Sequence, residues 1–112
     1  MKNIFIYFLN WFTKRRVTKK YSKTVFVSSV REVPEKIKRN IYVVGSEGNK
    51  KWVIFICPCY QKNIVEVNLM KSKKPYWYLT VSSKKVTLWP SVIVKDKCNC
   101  HFWLRNNKAY KC

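Results

Sequence analysis

Acidic residues are scarce in this chain of 112 residues, which has five Asp and Glu against 24 Lys and Arg and a formal net charge of +19. An excess of this size attracts phosphates, anionic lipid or an acidic protein surface. Codon use in an AT-rich genome would produce the same excess, because it favours Lys, Asn and Ile, and the chain is rich in all three. The charge by itself therefore leaves the partner open.

Glycine is also rare, with two residues, and the chain has no long hydrophobic run. A membrane-spanning helix needs about 20 apolar residues, whereas the apolar run at 4–12 is short and is interrupted by Asn10. Hydrophobic residues nevertheless make up 47% of the chain and aromatic residues 16%. This composition excludes a disordered tail and predicts one small packed domain. Because the core of so short a chain is small, a covalent crosslink or a bound metal would add to its stability.

The first segment, residues 1–22, is predicted to be an apolar and basic extension with a helix over its apolar part. Its apolar side chains cover most of the helix surface, so the helix needs lipid or a protein surface to cover it. The basic residues that follow are candidates for contact with an anionic membrane or another anion: Lys14, Arg15, Arg16, Lys19 and Lys20. Docking of this helix on the protein's own sheet is the alternative.

From residue 23 to residue 112, short runs of β-branched and aromatic residues predict a small, mostly antiparallel β domain. The runs are TVFVSSV, IYVVGSE, KWVIFIC, IVEVNL, YWYLTV, KVTLWP, HFWLR and KAYK. Turn signals such as GSEGN at 45–49 and NN at 106–107 separate them. Connections this short favour antiparallel neighbours over crossover helices.

The chain contains five cysteines and one histidine and has no convincing signal peptide. Thiolate ligands in a reducing compartment fit this composition better than disulfides, which would leave one cysteine over. We therefore expect a cytoplasmic protein, peripheral at the inner membrane face if the N-terminal segment binds lipid.

Two short motifs predict a zinc site that staples the β domain. Cys57 and Cys59 flank Pro58, and Cys98 and His101 are spaced C-x-x-H. Structural zinc takes four ligands from Cys and neutral His, commonly as two close pairs. Cys100 and Cys112 are alternate ligands. The opposing interpretation is that these cysteines are unliganded core residues.

No catalytic residue is predicted from these motifs. The chain has no H-E-x-x-H motif, and no acidic residue stands at a spacing that specifies a general base. A thiolate–imidazole pair of Cys100 and His101 is also excluded, because adjacent residues of an extended strand point to opposite faces.

Three segments carry a resemblance to a known family: CPC at 57–59, TLWPS at 87–91 and the C-x-x-HF-x-L-R ending from Cys98. In this order, over residues 30–112, the chain resembles the bacterial family known as domain of unknown function 6527. Members typically read C-P-C-G-C-G at 57–62 and carry Ser where this chain has Cys100. The resemblance implies a zinc-binding protein encoded beside ubiquitin-like conjugation components and linked to defence.

These observations favour a non-enzymatic zinc-binding module that docks on a partner protein, such as a component of a ubiquitin-like conjugation system. The first alternative is a basic nucleic-acid-binding protein, for which Trp77, Trp89 and Trp103 are candidate stacking platforms. Sheet core and cross-strand pairs are the competing explanation for these aromatic residues. The second alternative is a zinc-dependent hydrolase, which would need an open position on the metal.

Overall fold

The computed structural model describes residues 17–59, 63–94 and 100–111, and these ranges contain ten strands and one short 3-10 helix. The strands are β1 Val17–Lys20, β2 Thr24–Val27, β3 Ile41–Ser46, β4 Asn49–Ile56, β5 Ile64–Asn68, β6 Tyr78–Ser82, β7 Lys85–Trp89, β8 Val92–Val94, β9 Cys100–Arg105 and β10 Lys108–Lys111. The 3-10 helix is Val30–Glu32. The prediction of a mostly β fold is confirmed. The predicted N-terminal helix lies outside the described residues.

Three sheets form the domain. The first has the order β1-β10-β9-β8, the second has the order β2-β3-β4-β5, and the third is the β6-β7 hairpin. Antiparallel pairing was predicted and is found at every described strand pair except β2–β3, which is parallel. A parallel pair requires a longer connection than a hairpin, and the segment 28–40 between β2 and β3 supplies it.

The main core lies where the inner faces of the three sheets meet. Phe55 of β4 and Phe102 of β9 are fully buried and touch edge to face, with ring centroids 5.9 Å apart. Tyr21 also packs edge to face against Phe55, with ring centroids 5.5 Å apart. Burial of one such aromatic side chain contributes about 1.5–3 kcal/mol. A second cluster on the outer face of the second sheet is covered by Ile37 from the β2–β3 connection.

One buried polar residue, Asn107, joins all three sheets. It lies in the turn between β9 and β10 with φ of 63°, a conformation that Asn tolerates better than most residues. Its side-chain oxygen accepts the backbone N–H of Val86 at 2.7 Å, and its amide donates to Thr24 Oγ1 at 3.0 Å. The backbone N–H of Asn107 also donates to the Val86 carbonyl oxygen, and its own carbonyl oxygen accepts the Tyr21 N–H. Together with the Thr24 contact, these hydrogen bonds tie the start of β7 to the first and second sheets.

The structure also places part of the predicted extension. Residues Val17–Lys20 form β1 and pair with β10, so they belong to the first sheet. Of the candidate membrane-contact residues, Lys20 is exposed and the Lys19 ammonium lies 5.7 Å from the centre of the Tyr21 ring. Lys14, Arg15 and Arg16 lie outside the described residues. No helix in the described ranges has the length and apolar character to cross a membrane.

Deleting residues 1–20 is expected to lower the free energy of unfolding by about 1–3 kcal/mol more than deleting residues 1–16. Three cross-strand pairs are lost with β1, and each contributes up to about 1 kcal/mol. Thermal or urea melts of the two truncated proteins measure the difference. Equal free energies of unfolding for the two truncated proteins would show that the β1–β10 pairing contributes nothing to stability.

Candidate functional site

Three cysteines converge at one end of the core. Cys57 follows β4 and is fully buried, Cys59 lies two residues further on, and Cys100 begins β9. Their sulfur atoms all lie within 4.8 Å of one another, and the Sγ atoms of Cys57 and Cys59 are 2.7 Å apart. This group therefore links the second sheet, through the end of β4, to the first sheet, through the start of β9.

The backbone around Cys57 is held on both sides. The Cys57 N–H donates to Asn63 O at 2.7 Å, and the Tyr21 hydroxyl donates to the carbonyl of Ile56. Burial raises the pKa of Tyr21 far above its ordinary value, and the nearby Cys57, Cys100 and Cys59 raise it further. The Tyr21 hydroxyl thus keeps its proton and remains a hydrogen-bond donor beside the sulfur atoms.

The chemistry of this donor set suits a metal ion. Three sulfur ligands within one coordination sphere are the type of site that binds zinc or another thiophilic metal. Two of the predicted ligands, Cys57 and Cys59, are in the group, and the alternate Cys100 is the third. Cys98 and Cys112 lie outside the described residues. The three described cysteines could therefore hold a metal ion, with one tetrahedral position left for a further ligand.

His101, the remaining predicted ligand, is placed elsewhere. It is exposed on the outer face of β9, whereas its neighbours Cys100 and Phe102 face the core. Its Nε2 atom lies 2.7 Å from Oγ of Ser91. A hydroxyl and an imidazole nitrogen at this distance share a hydrogen bond. The structure thus groups His101 with a serine and does not bring it into the cysteine group.

The short strand β8 and the register of β8 with β9 bring Ser91 to His101. Ser91 immediately precedes β8, in which Ile93 pairs directly with His101 and Val92 pairs with Phe102. By the alternation of strand residues, Ser91 and Ile93 lie on the same outer face as His101. The Trp77 indole N–H donates to the Ser91 carbonyl oxygen at 3.1 Å and anchors the serine backbone.

A serine hydroxyl bonded to an imidazole is the nucleophile–base arrangement of acyl-transfer enzymes. In the tautomer that carries its proton on Nδ1, His101 accepts a hydrogen bond from the Ser91 hydroxyl at Nε2. No carboxylate in the described part of the chain hydrogen-bonds His101. Asp96, five residues before it, lies outside that part.

Sequence reasoning did not identify Ser91. The signals were a serine closing the TLWPS segment and a lone histidine in the C-terminal motif. Both segments contribute to the family resemblance, but nothing in their spacing indicates that they meet. The C-x-x-H spacing instead associates the histidine with its neighbouring cysteines.

The three candidate stacking residues have different environments. Trp77 is half-buried, and its indole N–H is hydrogen-bonded to the Ser91 carbonyl oxygen. Trp103 is half-buried in β9 and pairs with Tyr110 of β10. Trp89 is exposed, and its ring centroid lies 6.0 Å from that of Tyr78 across the β6–β7 hairpin. Cross-strand packing therefore accounts for Trp103, and anchoring of Ser91 accounts for Trp77.

Comparison with known proteins identifies a matching family. The model of the family described as bacterial ubiquitination-like system serine protease (BubE) matches residues 29–112. Neither the curated proteins nor the solved structures contain a match. The expected association with a bacterial ubiquitination-like system is confirmed. The prediction of a non-enzymatic docking module is wrong, because the family is named for protease activity. The nucleic-acid-binding and zinc-hydrolase alternatives receive no support from this match.

Replacing Cys57, Cys59 or Cys100 by Ser is expected to remove most of the bound metal, because a hydroxyl coordinates a thiophilic metal weakly. His101→Ala is the matched control and should retain the metal, since its ring lies at Ser91. Element-specific mass spectrometry on purified proteins measures the metal per chain. Metal loss in His101→Ala with retention in Cys100→Ser would contradict this grouping.

Proposed function

Because the chain belongs to the family of bacterial ubiquitination-like system serine proteases, we propose that it is a serine protease with Ser91 as nucleophile and His101 as general base. The observation that carries this proposal is the 2.7 Å contact between Ser91 Oγ and His101 Nε2. Family membership supports the same reaction class, and the Ser–His pair supplies the residues that the class requires.

The proposed reaction follows from this pair. Ser91 Oγ attacks the carbonyl carbon of a peptide bond while its proton moves to His101 Nε2. The protonated His101 then donates that proton to the leaving amine as the C–N bond breaks, which leaves an acyl-enzyme ester on Ser91. A water molecule, deprotonated by His101, then attacks this ester, and His101 returns the proton to Ser91 Oγ as the ester bond breaks, which releases the acid product and restores the free serine.

The substrate proposed from the family is a protein component of the ubiquitination-like system. A protease cleaves peptide bonds of its substrate, so the partner protein must place a segment of its chain at Ser91. This assignment keeps the protein partner of the sequence prediction and changes its role from a docking partner to a substrate.

The cysteine group is proposed to bind structural zinc, with Cys98 as the fourth ligand. The group of Cys57, Cys59 and Cys100 lies on the core side of β9, away from Ser91, and contains no carboxylate to act as a base. Zinc bound there would hold the start of β9 against the end of β4. Since Cys100 immediately precedes His101, the metal site would also position the imidazole that faces Ser91.

A fluorophosphonate probe, which phosphonylates activated serine hydroxyls with loss of fluoride, is expected to label the wild-type protein at one residue. Ser91→Ala should abolish labelling, and His101→Ala should slow it on the order of 100-fold or more, because the general base is lost. Intact-mass measurement gives the rate, and peptide mapping locates the adduct.

Ser82→Ala is the matched control, since Ser82 is an exposed serine at the end of β6. It should label like the wild type. Labelling that survives in Ser91→Ala, or an adduct mapped to another serine, would refute the assignment of the nucleophile.

Removal of the metal is expected to slow labelling on the order of 100-fold, because a shift of His101 by about 1 Å suffices for a loss of this size. Cys59→Ser should behave in the same way. Val67→Ala in β5 is the control, because it removes buried side-chain volume from the second sheet at a position that pairs with Val53, four residues before Cys57. All proteins are compared at equal intervals below their melting temperatures. Unchanged labelling of the metal-free folded protein would show that the cysteine site does not position His101.

A further inference from the structure

An exposed apolar surface borders the Ser91–His101 pair. Tyr78 is 46% exposed, Trp89 59% and Ile93 48%. Single exposed apolar residues are ordinary, but a contiguous group of them marks an interaction site. We call these three residues, together with the half-buried Tyr76, the rim.

The rim is continuous with the proposed catalytic pair. Ile93 pairs directly with His101 on the outer face of the first sheet, which places their Cβ atoms about 5 Å apart. Trp89 precedes Ser91 by two residues and pairs with Tyr78. The Tyr78 ring in turn touches the Tyr76 ring edge to face at 5.6 Å. Ile93 thus adjoins His101 across the strand pair, and Trp89 and the two tyrosines lie on or beside the β6–β7 hairpin that leads into Ser91.

The surroundings of the rim are positively charged. The Lys71 ammonium lies 5.6 Å from the centre of the Tyr78 ring, and the exposed Lys73 and Lys74 follow in the same loop. Between Glu66 and Asp96 the sequence has six lysines and no acidic residue. A segment that lies on this surface is therefore favoured if it carries negative charge.

We propose that the rim is the substrate-recognition surface, and that the substrate is an acidic protein segment with a large apolar side chain beside the scissile bond. The proposal rests on the protease function proposed above. The apolar side chain lies against Trp89 and Ile93, and acidic residues further along the segment face Lys71 and the loop that follows it. A second copy of this chain is a poor occupant, because two chains of charge +19 repel each other.

The test digests a pool of peptides of mixed sequence with the full-length protein and identifies the cleavage sites by mass spectrometry. Cleavage is expected beside Leu, Phe, Tyr or Met, with Asp or Glu within a few residues. Two matched peptides, one with Phe and one with Gly beside the cleaved bond, then give the preference as a ratio of kcat/KM values. We expect this ratio to be at least about tenfold.

Trp89→Ala is expected to reduce the Phe-to-Gly ratio about tenfold, because the apolar contact is lost only for the Phe peptide. Ile64→Ala is the matched control, since Ile64 is 48% exposed but lies on β5, in the second sheet. It should leave the ratio unchanged. Replacing the acidic residues of the Phe peptide by Gln should raise KM and remove most of its dependence on salt.

The outcomes separate this proposal from the protease assignment. A wild-type protein that the fluorophosphonate probe does not label refutes both. Three outcomes with normal labelling refute only the proposal that the rim recognises the substrate. They are the absence of peptide cleavage, cleavage without a preference for apolar residues, and an unchanged Phe-to-Gly ratio in Trp89→Ala. Quenching of tryptophan fluorescence by single-stranded DNA or by anionic vesicles that is lost in Trp89→Ala and is not competed by the acidic peptide also refutes it.

Discussion

The alternation of side chains along β9 is the constraint on which both sites depend. Residues two apart on a strand share a face, and neighbours point to opposite faces. Cys100 and Phe102 therefore enter the core, where Cys100 meets Cys57 and Cys59, while His101 faces outwards to Ser91. A shift of one residue in the pairing with β8 would exchange these faces and destroy both groups at once.

The rest of the fold keeps β9 and Ser91 in register with each other. Asn107 ties the start of β7 to the turn after β9, so the strand that leads to Ser91 and the strand that carries His101 share an anchor. Trp77 holds the serine backbone through its indole N–H, which donates to the Ser91 carbonyl oxygen. Hydrogen bonds of this kind each contribute only about 1 kcal/mol, but they define the position of a reacting atom more narrowly than apolar packing does.

Much of the fold followed from local patterns. The runs IYVVGSE, KWVIFIC and IVEVNL alternate or cluster apolar residues in strand fashion and became β3, β4 and β5. The segments VTKK and VIV became β1 and β8, which local pattern did not predict, because strands of three or four residues form only when a neighbouring strand supplies hydrogen bonds. The cysteine pair of 57 and 59 was also predictable, since two close thiols after a strand can face one point.

The sequence by itself determined a small, basic, mostly β domain with cysteines gathered in two motifs, because composition and strand periodicity act locally. Only the tertiary structure decided which partners these motifs find. His101 was expected beside zinc on the basis of its C-x-x-H spacing, yet the pleat of β9 turns it from the cysteines, and the pairing of β8 brings Ser91 to it. Spacing along a chain limits how close two residues can come. The face of the sheet on which each side chain lies depends on the register of strands that are distant in sequence.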